Sequence, residues 1–402
     1  MPPETPLTVL CIASHEKGQE FIRQCKREGC RTYLLTSQSL ENADWPRESL
    51  DDIFLMPDPD GQWHMPDVIR GVSYLARTIR IDRIVALDDF DVEKAAALRE
   101  HLRVPGMGDT TARYFRDKLA MRKRAQDENI SVPAFSPILH YDDLRAFLQE
   151  VPPPYVLKPR AQAGAIGIRK LSSAEDVWRS LDELGDEQSF YLLEQFVPGD
   201  VYHVDTIVDE KRVLFSCVSR YGKPPLQVSH EGHVFSTVMV PHGSDDERIL
   251  RGLNKIVLKA FGLVRGVSHS EYIRGEDGRF YFLETSARVG GAHIAEMIEG
   301  ATGLNLWAEW ARLETTTTPG QYAVPPYRND YGGLLVCLAR QEWPDLSAYN
   351  DPEITFRLKK RHHAGLAVAS PDHSRVQELI TRYAERFRED FLAVLPPTDR
   401  PL

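Results

Sequence analysis

The chain has 402 residues, 42% of them hydrophobic, which at roughly 150 residues per domain is enough for two or three domains with their own cores. Its 49 basic and 59 acidic residues give a formal net charge of −10, which excludes a chain-wide electrostatic commitment to nucleic acid or to an anionic membrane. The five cysteines, Cys11, Cys25, Cys30, Cys217 and Cys337, lack the paired short spacings of zinc and redox motifs and read as free thiols of a reducing compartment. The N-terminus shows no basic stretch followed by an apolar core, and no apolar run reaches the roughly 20 residues of a membrane span. The expectation is a cytoplasmic protein with neither a membrane nor a nucleic-acid partner.

The first hundred residues alternate apolar β-branched runs with helical patterns. Residues 7–14, 31–37, 52–56 and 83–88 read as strands, and 16–28, 66–80 and 92–102 as helices. This is the rhythm of an open parallel sheet. Such sheets carry ligands at the carboxyl ends of their strands, where Ser14, His15, Asp88 and Asp89 fall; the two aspartates equally suit capping of the helix that starts near Val92. Neither the glycine fingerprint of dinucleotide folds nor a P-loop occurs.

A charged helix is expected over 109–128 and a shorter one over 144–150, stopped by Pro152, Pro153 and Pro154. A strand at 155–158, a helix at 174–184, a strand at 189–196 and further strands between 201 and 240 follow. A helix at 245–261 precedes an antiparallel pair, 266–274 and 279–283, around the turn Gly275-Glu276-Asp277-Gly278. Thr315 to Thr318 reads as a linker, Trp307 and Trp310 as helix core, and His362-His363 as a solvated strand end.

Four features carry chemistry. Lys158 ends a strand and precedes a small-residue loop with Gly164 and Gly167, where backbone N–H groups can close over phosphate oxygens beside a point charge. Glu194 interrupts an apolar strand just before Phe196 and Val197, so a carboxylate can meet an exocyclic amine while its neighbours pack an adenine face. Glu271 and Glu284 lie one on each of two adjacent strands, a disposition that holds hard Mg2+ through oxygen. Arg288, beside Gly290 and Gly291, supplies a permanent cation where charge develops in phosphoryl transfer. Each alone also suits a solvated surface.

Taken in order, Lys118, Lys158, the glycine loop, Glu194, Glu271, Glu284 and Arg288 resemble the ATP-grasp superfamily over roughly residues 1–313. The likeness is to carboxylate–amine ligases, including L-amino acid ligases and biotin-carboxylase-like members. It implies an α/β and α+β multidomain fold: a Rossmann-like, open parallel-sheet domain over 1–104, an ATP-grasp domain over 105–313 with a lid at about 118–196, and a C-terminal subdomain over 314–402 that completes the body.

The resemblance further implies ATP with Mg2+, or Mn2+, as cofactors, and small-molecule carboxylate and amine substrates joined through an acyl phosphate. Lys118 and Lys158 would bind phosphates, and Glu194, Phe196 and Val197 the adenine. Glu271, Glu284 and Ser286 would hold metal, Ser286 standing where the family usually has asparagine, and Arg288 would steady the transferring group. For the ribose, Asp200 and His203 are both available, and the resemblance favours His203. Arg220, Lys223, His230 and His233, in a polar loop between strands, are substrate candidates; the two histidines lack the helical spacing of a metalloprotease. His293 either faces the acceptor or starts a helix. By analogy with relatives the assembly is a homodimer.

Overall fold

The run Thr8–Ala13 is buried along its whole length, as a strand covered on both faces must be, and forms β1 at the centre of a parallel sheet. The computed structural model describes residues 6–164 and 166–393, without the side chains of residues 229–231. With β2 (Arg31–Ser37), β3 (Asp52–Met56) and β4 (Arg83–Ala86), β1 gives the order β3-β2-β1-β4, all parallel. Strand β4 ends short of Asp88, whose side chain accepts from the Phe90 N–H and turns the chain into the helix Val92–Leu102.

The single helix expected over 109–128 is two, Asp109–Arg113 and Lys118–Asp127. The break has a local cause. Asp117 accepts from the Leu119 N–H and starts the second helix, while Phe115 is buried and the Arg116 guanidinium lies 4.4 Å from the Phe90 ring centroid.

A second, antiparallel sheet comprises β5 (Phe135–Pro137), β6 (Tyr155–Pro159), β7 (Arg169–Leu171) and β8 (Tyr191–Gln195) in the order β5-β8-β6-β7. Helices Tyr141–Glu150 and Ala174–Leu184 cover one face through a core of Leu144, Leu157, Val177 and Leu181. Strand β8 starts at Tyr191, later than expected, because Gly185–Phe190 winds into a 3-10 turn.

The third sheet has eight strands: β9 (Gly199–Asp209), β10 (Arg212–Tyr221), β11 (Phe235–Met239), β12 (Gly266–Gly275), β13 (Phe280–Ser286), β14 (Tyr331–Leu338), β15 (Ile354–Arg357) and β16 (His363–Ser370). Their order is β13-β12-β9-β10-β11-β14-β16-β15, with every neighbouring pair antiparallel. One face packs on helices Asp245–Phe261 and His373–Asp390, the other on Ile294–Thr302 and Leu306–Thr315. Trp310 is core as expected, edge-on to Phe21 of the helix Gln19–Arg27 at 5.1 Å. The residues after 314 add β14, β15 and β16 to this same sheet. Among the described residues no helix is long and apolar enough to cross a membrane.

The polar loop expected around 219–233 takes another form. Ser219 to Tyr221 complete β10, and Pro225–Glu231 is a short helix with proline at its first turn.

Candidate functional site

A cleft of about 200 Å³ separates the four-stranded sheet from the β9-β12-β13 end of the large sheet. Lys158, Glu194, Phe196 and Val197 line it from one side, and Glu271, Ile273, Leu283 and Glu284 from the other, with Lys118 between them.

On the first side the ionic groups are anchored to each other. Lys158 Nζ lies 2.5 Å from Glu194 Oε2, and Arg122 Nε donates to Glu194 Oε1 at 2.5 Å. Both carboxylate oxygens are thus committed, and Glu194 is a buried counter-ion here, where an open acceptor for an amine was expected. Desolvation works to raise its pKa, but Arg122 and Lys158 overcome it and hold the carboxyl below its usual range. Burial pushes Lys158 down to about 8, helped by the Arg122 and Lys118 charges and opposed by Glu194. Lys118 Nζ donates to the Gln162 carbonyl at 2.6 Å and pairs with Glu284 Oε2 at 2.9 Å.

The opposite side owes its shape to a β-bulge. Glu271 faces Glu284 across the strands, but Tyr272 faces Phe282, leaving Leu283 as the extra residue on β13. Leu283 and Glu284 consequently both line the cleft, although they are consecutive. Glu284 is held below its usual range, Lys118 and Lys158 outweighing the desolvation that acts first against ionisation. Tyr221 OH donates to Glu271 Oε1 at 2.8 Å, and His269 Nε2 lies 3.5 Å from the same oxygen.

A polar layer lies under Glu271. His269 Nδ1 is 2.9 Å from Asp205 Oδ1, His203 Nδ1 is 2.7 Å from Asp205 Oδ2, and His203 Nε2 is 2.8 Å from Thr237 Oγ1. Burial works to lower the His269 pKa, but Asp205 and Glu271 raise it to about 9. Asp205 is held well below the carboxylate range, its desolvation overcome by His269 and His203.

Arg288 sits at the end of β1 and β4. Its Nε and Nη2 donate to Asp89 Oδ2 at 2.9 and 2.5 Å, and its Nη1 donates to the Val289 carbonyl at 2.8 Å. The Arg288 charge, against desolvation, holds Asp89 down to about 2. The two strand-end aspartates therefore divide the roles open to them: Asp88 caps and pairs with Lys17, and Asp89 holds Arg288.

Other expected residues distribute unevenly. Gly164 lines the cleft and Gly167 packs on Pro159, both at φ +70°, a conformation that glycine adopts without strain. Ser286 follows Glu284 by two residues, faces His269 across the strands and is half-buried. His203 does not reach the cleft: it is fully buried, in register with Glu271, and both ring nitrogens have partners. Asp200 pairs instead with Arg220 at 3.4 Å.

Arg220, Lys223 and His233 line a separate cavity of about 630 Å³ between β10, β11 and the helix His373–Asp390. Alternation along β10 sends Arg220 to the face opposite Tyr221 and so away from Glu271. The side chain of His230 lies outside the described residues. His293 precedes the helix Ile294–Thr302 and packs on Phe356 at 5.2 Å, which is the helix-start alternative.

Arg122, Tyr221, His269 and Asp205 were not picked out from the sequence. Arg122 falls four residues after Lys118 on one helix, and His269 two before Glu271 on one strand, periodicities that place each pair on a shared face.

The donor set, two cross-strand carboxylates with Glu271 Oε2 unpartnered among the described residues, suits a hard divalent cation such as Mg2+. Together with the lysines opposite, it suits a phosphate-bearing ligand held with a divalent cation. Residues 151–296 match the family described as ATP-grasp domain. The L-arginine-specific L-amino acid ligase of Bacillus subtilis is 25% identical over 292 residues, 69% of this chain and 70% of that protein. The D-alanine–D-alanine ligase of Cupriavidus taiwanensis is 23% identical over 218 residues, 52% of this chain and 66% of its own length. The crystal structure of L-amino acid ligase from Bacillus licheniformis superposes with a TM-score of 0.76 at 16% identity, covering 98% of this chain and 100% of that one. Residues 151–296 thus carry an ATP-grasp domain, and the chain is similar to carboxylate–amine ligases.

Proposed function

We propose that the protein is an ATP- and Mg2+-dependent ligase that joins a small carboxylate, of the amino-acid class, to an amine in the cytoplasm, working as a homodimer. One observation carries the proposal: paired carboxylates Glu271 and Glu284 face Lys118 and Lys158 across one cleft, which matches a polyphosphate bound with a divalent cation.

In this reading Lys118 and Lys158 exchange Glu284 and Glu194 for nucleotide phosphates. Phe196, Val197 and Ile273 pack the base. Glu271, Glu284 and Ser286 would hold Mg2+, or Mn2+, which when bound would neutralise phosphate charge. The donor carboxylate attacks the γ-phosphorus and ADP leaves; the amine then attacks the acyl carbon, and phosphate departs with the bonding electrons. Arg288 keeps a permanent cation near the transferred group, and the loop bearing Gly164 and Gly167 closes to exclude water from the acyl phosphate. Arg220, Lys223 and His233 line a second cavity and carry no role in these steps of the reading.

The test is product analysis with ATP, Mg2+, pooled amino acids and other small carboxylates. Equal ADP and phosphate, with a product lighter by one water than its two substrates, is the expected result. A phosphorylated product would make the protein a kinase. Nucleotide binding without turnover, with Ser286 in place of asparagine, would point to a regulatory role.

A further inference from the structure

The two cleft carboxylates differ in how they are held. Glu284 is tied across the cleft to Lys118, a mobile partner that nucleotide can recruit. Glu271 is tied from beneath by Tyr221 and His269 and, among the described residues, only through Oε1. Tyr221 OH also lies 3.3 Å from His269 Nε2, so the two side chains and Oε1 form one compact cluster. His269 in turn rests on Asp205, whose second oxygen holds His203, itself fixed to Thr237 on β11. Every member of this layer is buried, and it spans β12, β9, β10 and β11.

The layer is also closed from above. A Cβ on Gly290 would lie 2.8 Å from Asp205 Oδ1 and 3.0 Å from His269 Nδ1, so the turn after Arg288 lies directly on the Asp205–His269 pair. A polar network this enclosed costs stability unless every member is satisfied. A purely structural layer could be apolar at less cost, as Val201 and Ile273 are elsewhere on the same strands.

We infer that Tyr221, His269 and Asp205 are positioning residues for the metal site: by engaging Glu271 Oε1 they leave Oε2 as its single outward oxygen and hold it in one orientation. The inference rests on the ATP-grasp reading of the cleft. Partners of this kind behind a ligating carboxylate are worth roughly 10–100-fold in metal affinity. The inference concerns orientation and does not depend on a change of protonation at His269.

The experiment is Mn2+ binding to the ADP complex, followed by electron paramagnetic resonance, alongside calorimetry of ADP binding without metal. Tyr221→Phe deletes one hydroxyl, and His269→Gln is the second variant; thermal denaturation checks that each is folded. Both are expected to weaken Mn2+ about 10-fold or more, with metal-free ADP affinity unchanged. If both folded variants bind Mn2+ as the parent does, or lose metal-free ADP binding in equal measure, the positioning role is wrong while the ATP-grasp reading stands. If the parent itself binds no Mn2+ with ADP, the metal-site reading falls and takes this inference with it.

Discussion

The four-stranded sheet and the eight-stranded sheet meet at one cleft but equip it oppositely. The small sheet contributes Lys158, with Glu194 and the helix residue Arg122 behind it; the large sheet contributes Glu271 and Glu284, with Tyr221 and His269 behind. In the proposed reading one side would offer cations to phosphate and the other oxygen to a metal, so a metal–nucleotide complex would need both sheets, and affinity would be coupled to closure. The larger cavity, about 630 Å³, lies between β10, β11 and the helix His373–Asp390.

Breaking the large-sheet side should have the greatest effect. Glu284→Gln is expected to lower ATP-dependent turnover by on the order of 10³-fold, read as ADP release, with the folded state retained. Breaking the small-sheet side should appear first as lost stability. Arg122→Met removes a buried partner of Glu194 and should cost about 3 kcal/mol in denaturant unfolding, against an unchanged value for Arg248→Met on the exposed face of its helix.

The pH dependence sharpens the contrast further. Burial lets Lys158 keep its proton only to about pH 8. Phosphate binds the charged form, so nucleotide affinity should fall as pH rises through 8, by up to about tenfold per unit, and the slope should vanish in Lys158→Met. For stability the sign is opposite: the unfolded chain holds this proton up to the ordinary lysine value of 10.5, so the folded state gains between pH 8 and 10.5. The smallest effect is expected from Gly167→Ala, about 1 kcal/mol from its positive φ, with contact against Pro159, seen as faster hydrogen exchange in β6 and β7.

The legible parts of the molecule were those with local signals. The parallel sheet announced itself through fully apolar runs such as Thr8–Ala13, and the ends of β12 and β13 through a glycine-bearing turn. Glu271 and Glu284 could be paired because one tight turn joins their strands. The burial of His203 is set by β10 and β11, whose register no local pattern reveals. The bulge at Leu283, the break at Asp117 and the commitment of Glu194 to Arg122 likewise depend on partners far along the chain. Arg220 faces away from Glu271 because it is one residue from Tyr221 on a strand, a one-step difference in phase that a loop assignment concealed.

The continuity of the eight-stranded sheet has a consequence for synthesis. Every cleft residue precedes position 290, yet β11 gains its outer neighbour only when β14, beyond residue 330, has emerged. A ribosome-bound chain that has already made its cleft residues still carries the unpaired edge of β11, open to pairing with another nascent chain. A message truncated near residue 313 would thus encode all the cleft residues in an aggregation-prone product, and residues 314–402 serve the cleft by sealing the sheet beneath it.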